Sequence, residues 1–200
     1  GAGVAGLSAG QALHAAGITP LILEARERIG GRINTDHAYG PVELGAEFIH
    51  GEHAVTWEVV QAAQLETIPW GSDRRFGING ALVPPDDAFG SRVARLYGAI
   101  YDYQGPDCAV AAVMAGYAAP DDPAAAIALR WLANIEGADP RRLSALAVAQ
   151  EHARSTNGAT NFHLCGGYDA VPRALAAGLD VRCNSPVQQI AWNSAGATLT

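Results

Sequence analysis

The chain contains no lysine, since all 13 of its basic residues are arginine. None of its 200 residues can therefore supply a lysine for a Schiff base or for general base catalysis. Cysteine is also scarce: Cys108, Cys165 and Cys183 are too few for a disulfide framework and form no C-x-x-C pair. A zinc site or a thioredoxin-like redox motif is therefore not expected.

Long apolar runs are missing as well. The longest uncharged stretch, residues 183–200, is rich in Asn, Ser, Gln and Thr, so we expect no membrane-spanning helix. Basic runs are absent, and 20 acidic against 13 basic residues give a net charge of −7, which argues against a nucleic-acid partner. Hydrophobic residues make up 49% of the chain, which at this length is typical of one or two folded domains.

Glycine, in contrast, is plentiful and opens the chain in a pattern. Residues 1–6 read G-A-G-V-A-G, and the alanine-rich segment that follows predicts a helix ended by Gly17. An apolar run of strand length, residues 18–24, then ends in Glu24, 18 residues after Gly6. A glycine turn, a helix, a strand and an acid in this order are typical of a dinucleotide-binding unit.

The three glycines of this pattern have separate physical roles. Gly1 permits a tight turn from strand to helix, Gly3 lets the backbone approach a pyrophosphate, and Gly6 allows the helix to pack closely on a strand. The helix N-terminus offers N–H groups and the positive end of its dipole to an anion. Because the pattern requires a strand before Gly1, we expect the chain to be a fragment that begins inside this motif.

A second glycine pair extends this signal. Residues 24–32 read E-A-R-E-R-I-G-G-R, in which Gly30 and Gly31 permit another close approach to a diphosphate and Arg32 is a forked donor. By itself this segment is equally compatible with a surface turn of solvated charges. Residues 40–51 follow and read G-P-V-E-L-G-A-E-F-I-H-G.

Together these segments resemble the flavin-containing amine oxidase family, which includes monoamine oxidases, polyamine oxidases and histone-demethylase relatives. The family pattern runs G-x-G-x-x-G-L, E-A-R-x-R-x-G-G-R and a G-A segment close to the flavin ring, and residues 1–51 carry all three in order. Residues 164–200 add a G-G helix, a strand and a V-x-x-I strand. The I-H-G ending at residues 49–51 is most similar to polyamine and spermine oxidases and their bacterial relatives.

The resemblance implies an α/β fold with FAD as cofactor. A discontinuous, Rossmann-like FAD-binding domain would comprise residues 1–75 and 156–200, and residues 76–155 would be inserted as a mainly helical segment of the substrate domain. The residues that match the family's cofactor contacts are Gly1, Gly3, Gly6, Glu24, Arg26, Gly30, Gly31, Arg32, Gly45, Ala46, Glu47, Phe48 and the backbone of Val187.

The implied reaction is the oxidation of a small amine. A hydride would pass from the carbon that bears the nitrogen to flavin N5, O2 would reoxidise the flavin to give H2O2, and the imine would hydrolyse. His50 would orient the amine, or it is a loop histidine held by a hydrogen bond. Glu47 would hold an ammonium group, or it forms an ion pair with an arginine. His53 follows His50 without a third ligand at sensible spacing, so no metal site is expected.

Other interpretations stay open at this stage. The first alternative is another flavoenzyme of the same fold, desaturase-like or protoporphyrinogen-oxidase-like, and the second is a catalytically inactive FAD-binding fragment. The family's active-site lysine and its substrate-flanking aromatic residues would lie beyond Thr200, so we expect these residues alone to bind FAD weakly and to be inactive. The sequence leaves the oligomeric state open, with the cytoplasm as the default compartment.

The middle of the chain predicts helices. Residues 57–65 predict a short helix, and the Asn-Gly pair at residues 79–80 predicts a hairpin. A helix with one apolar stripe is expected from the Asp-Asp pair at residues 86–87 onwards. The Asp-Pro pairs at residues 122–123 and 139–140 each predict a helix start.

Four further residues have less specific expectations. Tyr168 fits either core packing or the roof of a site, and Trp70 follows a proline in a loop from which it could reach a pocket. His163 reads as an ordinary histidine, and Cys165 is expected to be a buried thiol.

Overall fold

The computed structural model describes residues 1–71, 75–84, 88–158 and 160–200. These ranges contain helices together with strands, some of which pair in parallel and others in antiparallel fashion. In chain order the elements are α1 (Val4–Ala15), β1 (Leu21–Leu23), β2 (Thr35–Asp36), β3 (Val42–Glu43), β4 (Ile49–His50), α2 (Thr56–Ala62), β5 (Thr67–Pro69), β6 (Phe76–Ile78), β7 (Ala81–Val83), α3 (Ala88–Tyr101), α4 (Val110–Ala115), α5 (Pro123–Glu136), α6 (Ala145–Arg154), β8 (Asn161–Leu164), α7 (Ala170–Ala176), β9 (Asp180–Arg182), β10 (Ile190–Asn193) and β11 (Gly196–Leu199).

The chain divides into two compact units. Unit 1 comprises Gly1–Trp70 and Asn157–Thr200, and unit 2 comprises Gly71–Thr156. Unit 1 therefore joins the first and the last part of the chain in one body. The assignment of these parts to flavin binding and to a substrate domain stays a prediction.

The first layer of unit 1 is an α/β arrangement. α1 begins directly after Gly3, whose backbone is extended, and the chain reverses after the helix at Gly17, which has a left-handed φ of +80°. Leu7 of α1 packs with Ala2 and with Ile22 of β1 in a small apolar cluster. β1 pairs in parallel with β9, so the strand that follows the helix is held from the far end of the chain.

The second layer of unit 1 is an antiparallel sheet. β8 lies between β4 and β5, with Ile49 opposite Phe162 and Ile68 opposite His163. Ile49 and Leu164 are buried in one apolar cluster below this sheet, which anchors the strands. β2 and β3 form a separate antiparallel pair.

Unit 2 is mainly helical, with an apolar core among α3, α4, α5 and α6 that includes the fully buried Ile100 and Leu132. The Asp122 carboxylate caps α5 by accepting from the Ala124 N–H at 2.9 Å. Gly137 ends the same helix in the left-handed conformation, at φ 60°. The helix start predicted at residues 122–123 is confirmed.

The predicted hairpin in unit 2 is also present. β6 and β7 pair around Asn79 and Gly80, which have φ values of +49° and +79°. Left-handed conformations at both central positions are what a tight hairpin turn requires, and Asn-Gly tolerates them best. The helix start expected at residues 86–87 lies outside the described residues, and α3 is described from Ala88, with Val93 and Leu96 buried.

The expected helix start at residues 139–140 is wrong. α6 begins at Ala145 instead, because the Ser144 hydroxyl accepts from the Ala147 N–H at 3.0 Å and so caps the helix. The Asp139 carboxylate accepts from the Arg141 N–H within a tight turn. In both cases a side-chain oxygen accepts from a nearby backbone N–H. At Asp139 this hydrogen bond stabilises a turn, and at Ser144, five residues later, it caps a helix.

No helix in the described ranges is both long and apolar enough to span a membrane. Among the same residues, no group of three or more His, Cys, Asp or Glu side chains is placed to hold a metal ion.

Candidate flavin site

The first glycine loop, residues 1–6, leads directly into α1. Gly3 has no side chain to cap the helix, so the N–H groups of the first turn face outward for an anion. A Cβ atom on Gly6 would lie 1.9 Å from the carbonyl oxygen of Gly1, a distance that no side chain tolerates. Glycine at this position therefore permits the close contact between the helix and the loop before it.

Glu24 holds the other side of this loop. Its carboxylate follows β1 and accepts from the Ala2 N–H at 2.7 Å and from the Arg26 N–H at 3.0 Å. Glu24 is buried, and the hydrogen bonds from Arg26 and Ala2 lower the pKa of its carboxyl group below the ordinary value. Each carboxylate oxygen retains acceptor capacity, which is what binding to ribose hydroxyls requires.

The second glycine loop, residues 29–33, lies against the first. The Gly30 N–H donates to the Ala2 carbonyl at 2.8 Å, and Gly3 and Gly30 form a parallel bridge. Gly31 has a φ of +61°, and a Cβ atom there would lie 3.3 Å from the Cα atom of Gly3. The two loops therefore meet backbone to backbone, and side chains would separate them.

Three arginines surround the second glycine loop, and they differ in what they bind. Arg28 donates to the carbonyl oxygens of Ile29, Gly31 and Ile33 at 3.1, 3.1 and 3.0 Å. The guanidinium of Arg26 reaches the Gly31 carbonyl at 3.4 Å, and that of Arg32 has no partner among the residues that the structure describes. Arg28 is therefore a structural clamp, whereas Arg26 and Arg32 keep donors for a ligand. Arg26 and Arg32 are predicted from the sequence as cofactor residues, whereas Arg28 is not, although it lies in the same E-A-R-E-R string.

Replacing Arg28 with lysine is expected to lower the free energy of unfolding by about 1–2 kcal/mol, because one ammonium group cannot bond three carbonyls in the geometry that a planar guanidinium reaches. Chemical denaturation of the full-length protein would measure this loss. Arg182→Lys is the matched control, since Arg182 is an exposed arginine of the same unit that binds Asp180. Equal stability of the Arg28→Lys and Arg182→Lys proteins would contradict the clamp.

Both glycine loops line a cavity of about 920 Å³ in unit 1. Gly45 and Ala46 form another wall, where the Ala46 N–H donates to the Arg32 carbonyl at 3.2 Å and the Leu44 N–H donates to the Asn34 carbonyl at 2.7 Å. This volume suits a large ligand, and arginine donors beside exposed backbone suit a diphosphate. The lining residues are Gly3, Val4, Ala5, Arg26, Arg28, Gly30, Gly31, Arg32, Ile33, Asn34, Leu44, Gly45, Ala46, Thr56, Tyr168 and Val171.

The structure places the other predicted cofactor residues around this cavity in different ways. Gly1 and Gly6 belong to the first glycine loop but do not line the cavity, and Glu24 accepts a hydrogen bond from Ala2 of this loop. Val187 is partly exposed and lies two residues after Ser185, whose N–H donates to the Glu24 carbonyl at 2.8 Å. The segment after β9 therefore passes beside the ribose end of the predicted site, where a backbone contact to an adenine ring would lie.

Glu47, Phe48 and His50 belong to a second feature, which we call the aromatic–histidine cluster. The Phe48 ring lies 4.6 Å from His163, 5.1 Å from Trp70 and 5.9 Å from His50, measured between ring centroids. β4, β5 and β8 bring these rings together across the antiparallel sheet. The sequence analysis treated His163 as ordinary, because 113 residues separate it from His50 and only the strand pairing joins them.

Hydrogen bonding orients His50 within this cluster. Its Nδ1 lies 3.1 Å from the Asn161 Oδ1, and the tautomer that donates from Nδ1 to this oxygen has Nε2 as its acceptor. Glu47 is half-exposed, and its Oε1 lies 3.9 Å from the Nδ1 of His163. The neighbour of Glu47 is thus a histidine rather than the arginine that the sequence analysis considered. Cys165, expected to be buried, is exposed because it follows β8 in a turn.

Several known proteins are similar to this chain. Cyclohexylamine oxidase from Brevibacterium oxydans matches the whole chain with a TM-score of 0.72 and 25% identity, over 53% of its own chain. Polyamine oxidase 4 of Oryza sativa subsp. japonica is 29% identical over the whole chain and 46% of its own length. Polyamine oxidase 3 of the same plant is 52% identical over 52 residues, 26% of this chain and 11% of its own. The chain spans about half the length of the relatives that match it throughout.

These similarities and the cavity define an α/β flavoprotein fold. Residues 4–81 and 115–200, more than half of the chain, match the profile of flavin containing amine oxidoreductases. The chain belongs to this flavin amine oxidoreductase family, which implies a flavin cofactor.

Proposed function

We propose that the protein is an FAD-dependent amine oxidase of the polyamine oxidase type. The observation that carries this proposal is the cavity where the two glycine loops meet, because its donors and backbone fit a dinucleotide diphosphate. Glu24 supports FAD over a flavin mononucleotide, since a buried carboxylate beyond the loop is suited to the hydroxyls of the adenosine ribose, which the mononucleotide lacks. The polyamine oxidases among its relatives favour a substrate with more than one amino group.

The residues of the cavity would divide the work of holding the cofactor. The N–H groups at the start of α1, together with Arg26 and Arg32, would bind the diphosphate, and Glu24 would accept from the ribose. Gly45 and Ala46 would form the wall nearest the flavin ring, since they present little more than backbone to the cavity. FAD, when bound, would supply the redox chemistry by accepting a hydride from the amine-bearing carbon and delivering electrons to O2, with H2O2 as product.

The aromatic–histidine cluster would bind and orient the amine. A hydride leaves a carbon most readily when the adjacent nitrogen carries a lone pair, so the reacting nitrogen must be neutral. The Nε2 of His50 is placed to accept a hydrogen bond from such an amine. Glu47 and the faces of Phe48 and Trp70 suit a second, protonated nitrogen of a polyamine, through charge attraction and cation–π contact.

The full-length protein is expected to purify with bound flavin and to release H2O2 when an amine is added. Heat-released cofactor should co-elute with FAD in chromatography, and a peroxidase-coupled assay should detect peroxide with spermine, spermidine or putrescine above tyramine. Catalase and an amine-free reaction are the controls. A flavin-free protein would contradict the cofactor assignment, and a flavin-loaded protein that is silent with every amine would favour another flavoenzyme of this fold.

A further inference from the structure

A hydrogen-bond network connects the β2–β3 pair with the start of α7. Glu43 ends β3, and its Oε2 accepts from the Thr35 hydroxyl at 2.7 Å. Its Oε1 accepts from the Tyr168 N–H, also at 2.7 Å. The Thr35 oxygen in turn accepts from the Asp169 N–H at 3.1 Å. The Glu43 carboxylate thus binds the Tyr168 N–H directly and is linked to the next one, the Asp169 N–H, through Thr35. Tyr168 lies 125 residues after Glu43 in the sequence.

The two ends of this network belong to two different segments that line the cavity. Glu43 lies two residues before Gly45, in the segment that forms one wall. Tyr168 is buried against Val171 and lines the other wall. The connection is close, because a Cβ atom on Gly167, where φ is +93°, would lie 2.7 Å from the Cγ2 of Thr35. A shift of Glu43 would therefore move both walls relative to each other.

Charge explains why a carboxylate stands at this junction. Both acceptors must be present at once, and an ionised carboxylate offers two equivalent oxygens with stronger hydrogen bonds than a neutral amide. A glutamine would still accept from the Tyr168 N–H, but its NH2 group would face Thr35 where an acceptor is needed. Apolar packing does not explain a glutamate at this position, because the half-buried Glu43 side chain is not a member of the apolar cluster that contains Tyr168 and Val171.

We propose that Glu43 is a positioning residue for the flavin, which it holds indirectly by fixing the distance between the Gly45–Ala46 wall and Tyr168. Thr35 extends this action to Asp169. Neither residue lines the cavity, so both act through the walls that do. The inference rests on the proposed flavin site, and it adds Glu43 and Thr35 to the residues that shape this site.

The test uses two matched pairs in the full-length protein, reconstituted with FAD from the apo form. Glu43→Gln removes one acceptor, and Glu66→Gln changes an exposed glutamate of the same unit. Thr35→Val removes the hydroxyl, and Thr35→Ser keeps it. The dissociation constant for FAD, the visible circular dichroism of the bound flavin and the thermal midpoint of the apo protein are measured for each variant.

Glu43→Gln and Thr35→Val are expected to weaken FAD binding about tenfold, the effect of one charge-assisted hydrogen bond. Both should also change the flavin circular dichroism, because a wall of the cavity has moved. Thr35→Ser and Glu66→Gln should bind FAD as the unaltered protein does. FAD affinity unchanged in Glu43→Gln, or a loss that Thr35→Ser shares equally, would overturn the inference. Absence of FAD binding in the unaltered protein would instead refute the proposed function.

Discussion

Replacing Gly45 with alanine is expected to abolish stable flavin binding. A Cβ atom at this position would lie 1.9 Å from the carbonyl oxygen of Arg32 and 3.1 Å from its carbonyl carbon. Both atoms are backbone, and the Ala46 N–H bonds to that same oxygen. Because no side chain can rotate away, the whole segment must shift from the second glycine loop, at a cost of about 2–4 kcal/mol. The shift would displace the wall that lies nearest the predicted flavin ring.

Gly166→Ala is the matched control for this variant. Gly166 is an exposed glycine of the same unit, and an added Cβ atom there would meet nothing within 4 Å. Flavin content after purification and chemical denaturation of the apo protein are the two measurements. We expect Gly166→Ala to retain its flavin, whereas Gly45→Ala should lose flavin and unfold at lower denaturant. Equal flavin content in the two variants would contradict the predicted clash between a Cβ atom on residue 45 and the Arg32 carbonyl group.

Local sequence patterns predict those parts of the candidate site in which two backbone segments approach each other closely. Gly6, Gly30 and Gly31 stand where an added Cβ atom would lie too close to neighbouring backbone, so their spacing is visible in the sequence. Glu24 is the residue directly after β1, at the end of the apolar run from which the strand is predicted. These features depend on neighbours in sequence or on one parallel pairing, which is why motif reasoning reached them.

The remaining parts of the site depend on contacts between distant segments. His163 joins Phe48 only through the pairing of β8 with β4, and Glu43 joins Tyr168 across 125 residues. No spacing rule connects such positions in a single sequence. Arg28 was missed for a different reason, since its neighbours Arg26 and Arg32 are equally plausible ligands until the structure shows which guanidinium is already bonded to protein.

The start of α6 shows how local rules compete. Asp139 before a proline and Ser144 are both good helix caps by residue type. The turn after Asp139 satisfies its carboxylate with the N–H and guanidinium of Arg141, and the helix then begins only after Ser144. Capping rules rank residues but do not decide between two sites five residues apart, because the choice depends on where Val148 and Ala149 are buried.

Replacing Glu24 with alanine is expected to lower the free energy of unfolding by about 2–4 kcal/mol, since it leaves the Ala2 and Arg26 N–H groups without their acceptors at a buried position. FAD affinity should fall further, because the proposed ribose contact is lost as well. Glu27→Gln is the control, as Glu27 is an exposed glutamate three residues later in the same segment. Alanine and control variants of equal stability would contradict the role of Glu24 in holding the first glycine loop.

The pH dependence gives an independent test of the same carboxylate. Backbone hydrogen bonds from Arg26 and Ala2 hold the folded-state pKa of Glu24 below the ordinary value of 4.5. The stabilisation is therefore complete above pH 4.5 and is lost as the pH falls through the folded-state pKa. In the Glu24→Gln protein no proton is taken up at this position, so its stability should fall less steeply over that acidic range. Identical slopes in denaturation curves recorded below pH 4.5 would show that the carboxylate of Glu24 gains nothing from its two N–H donors.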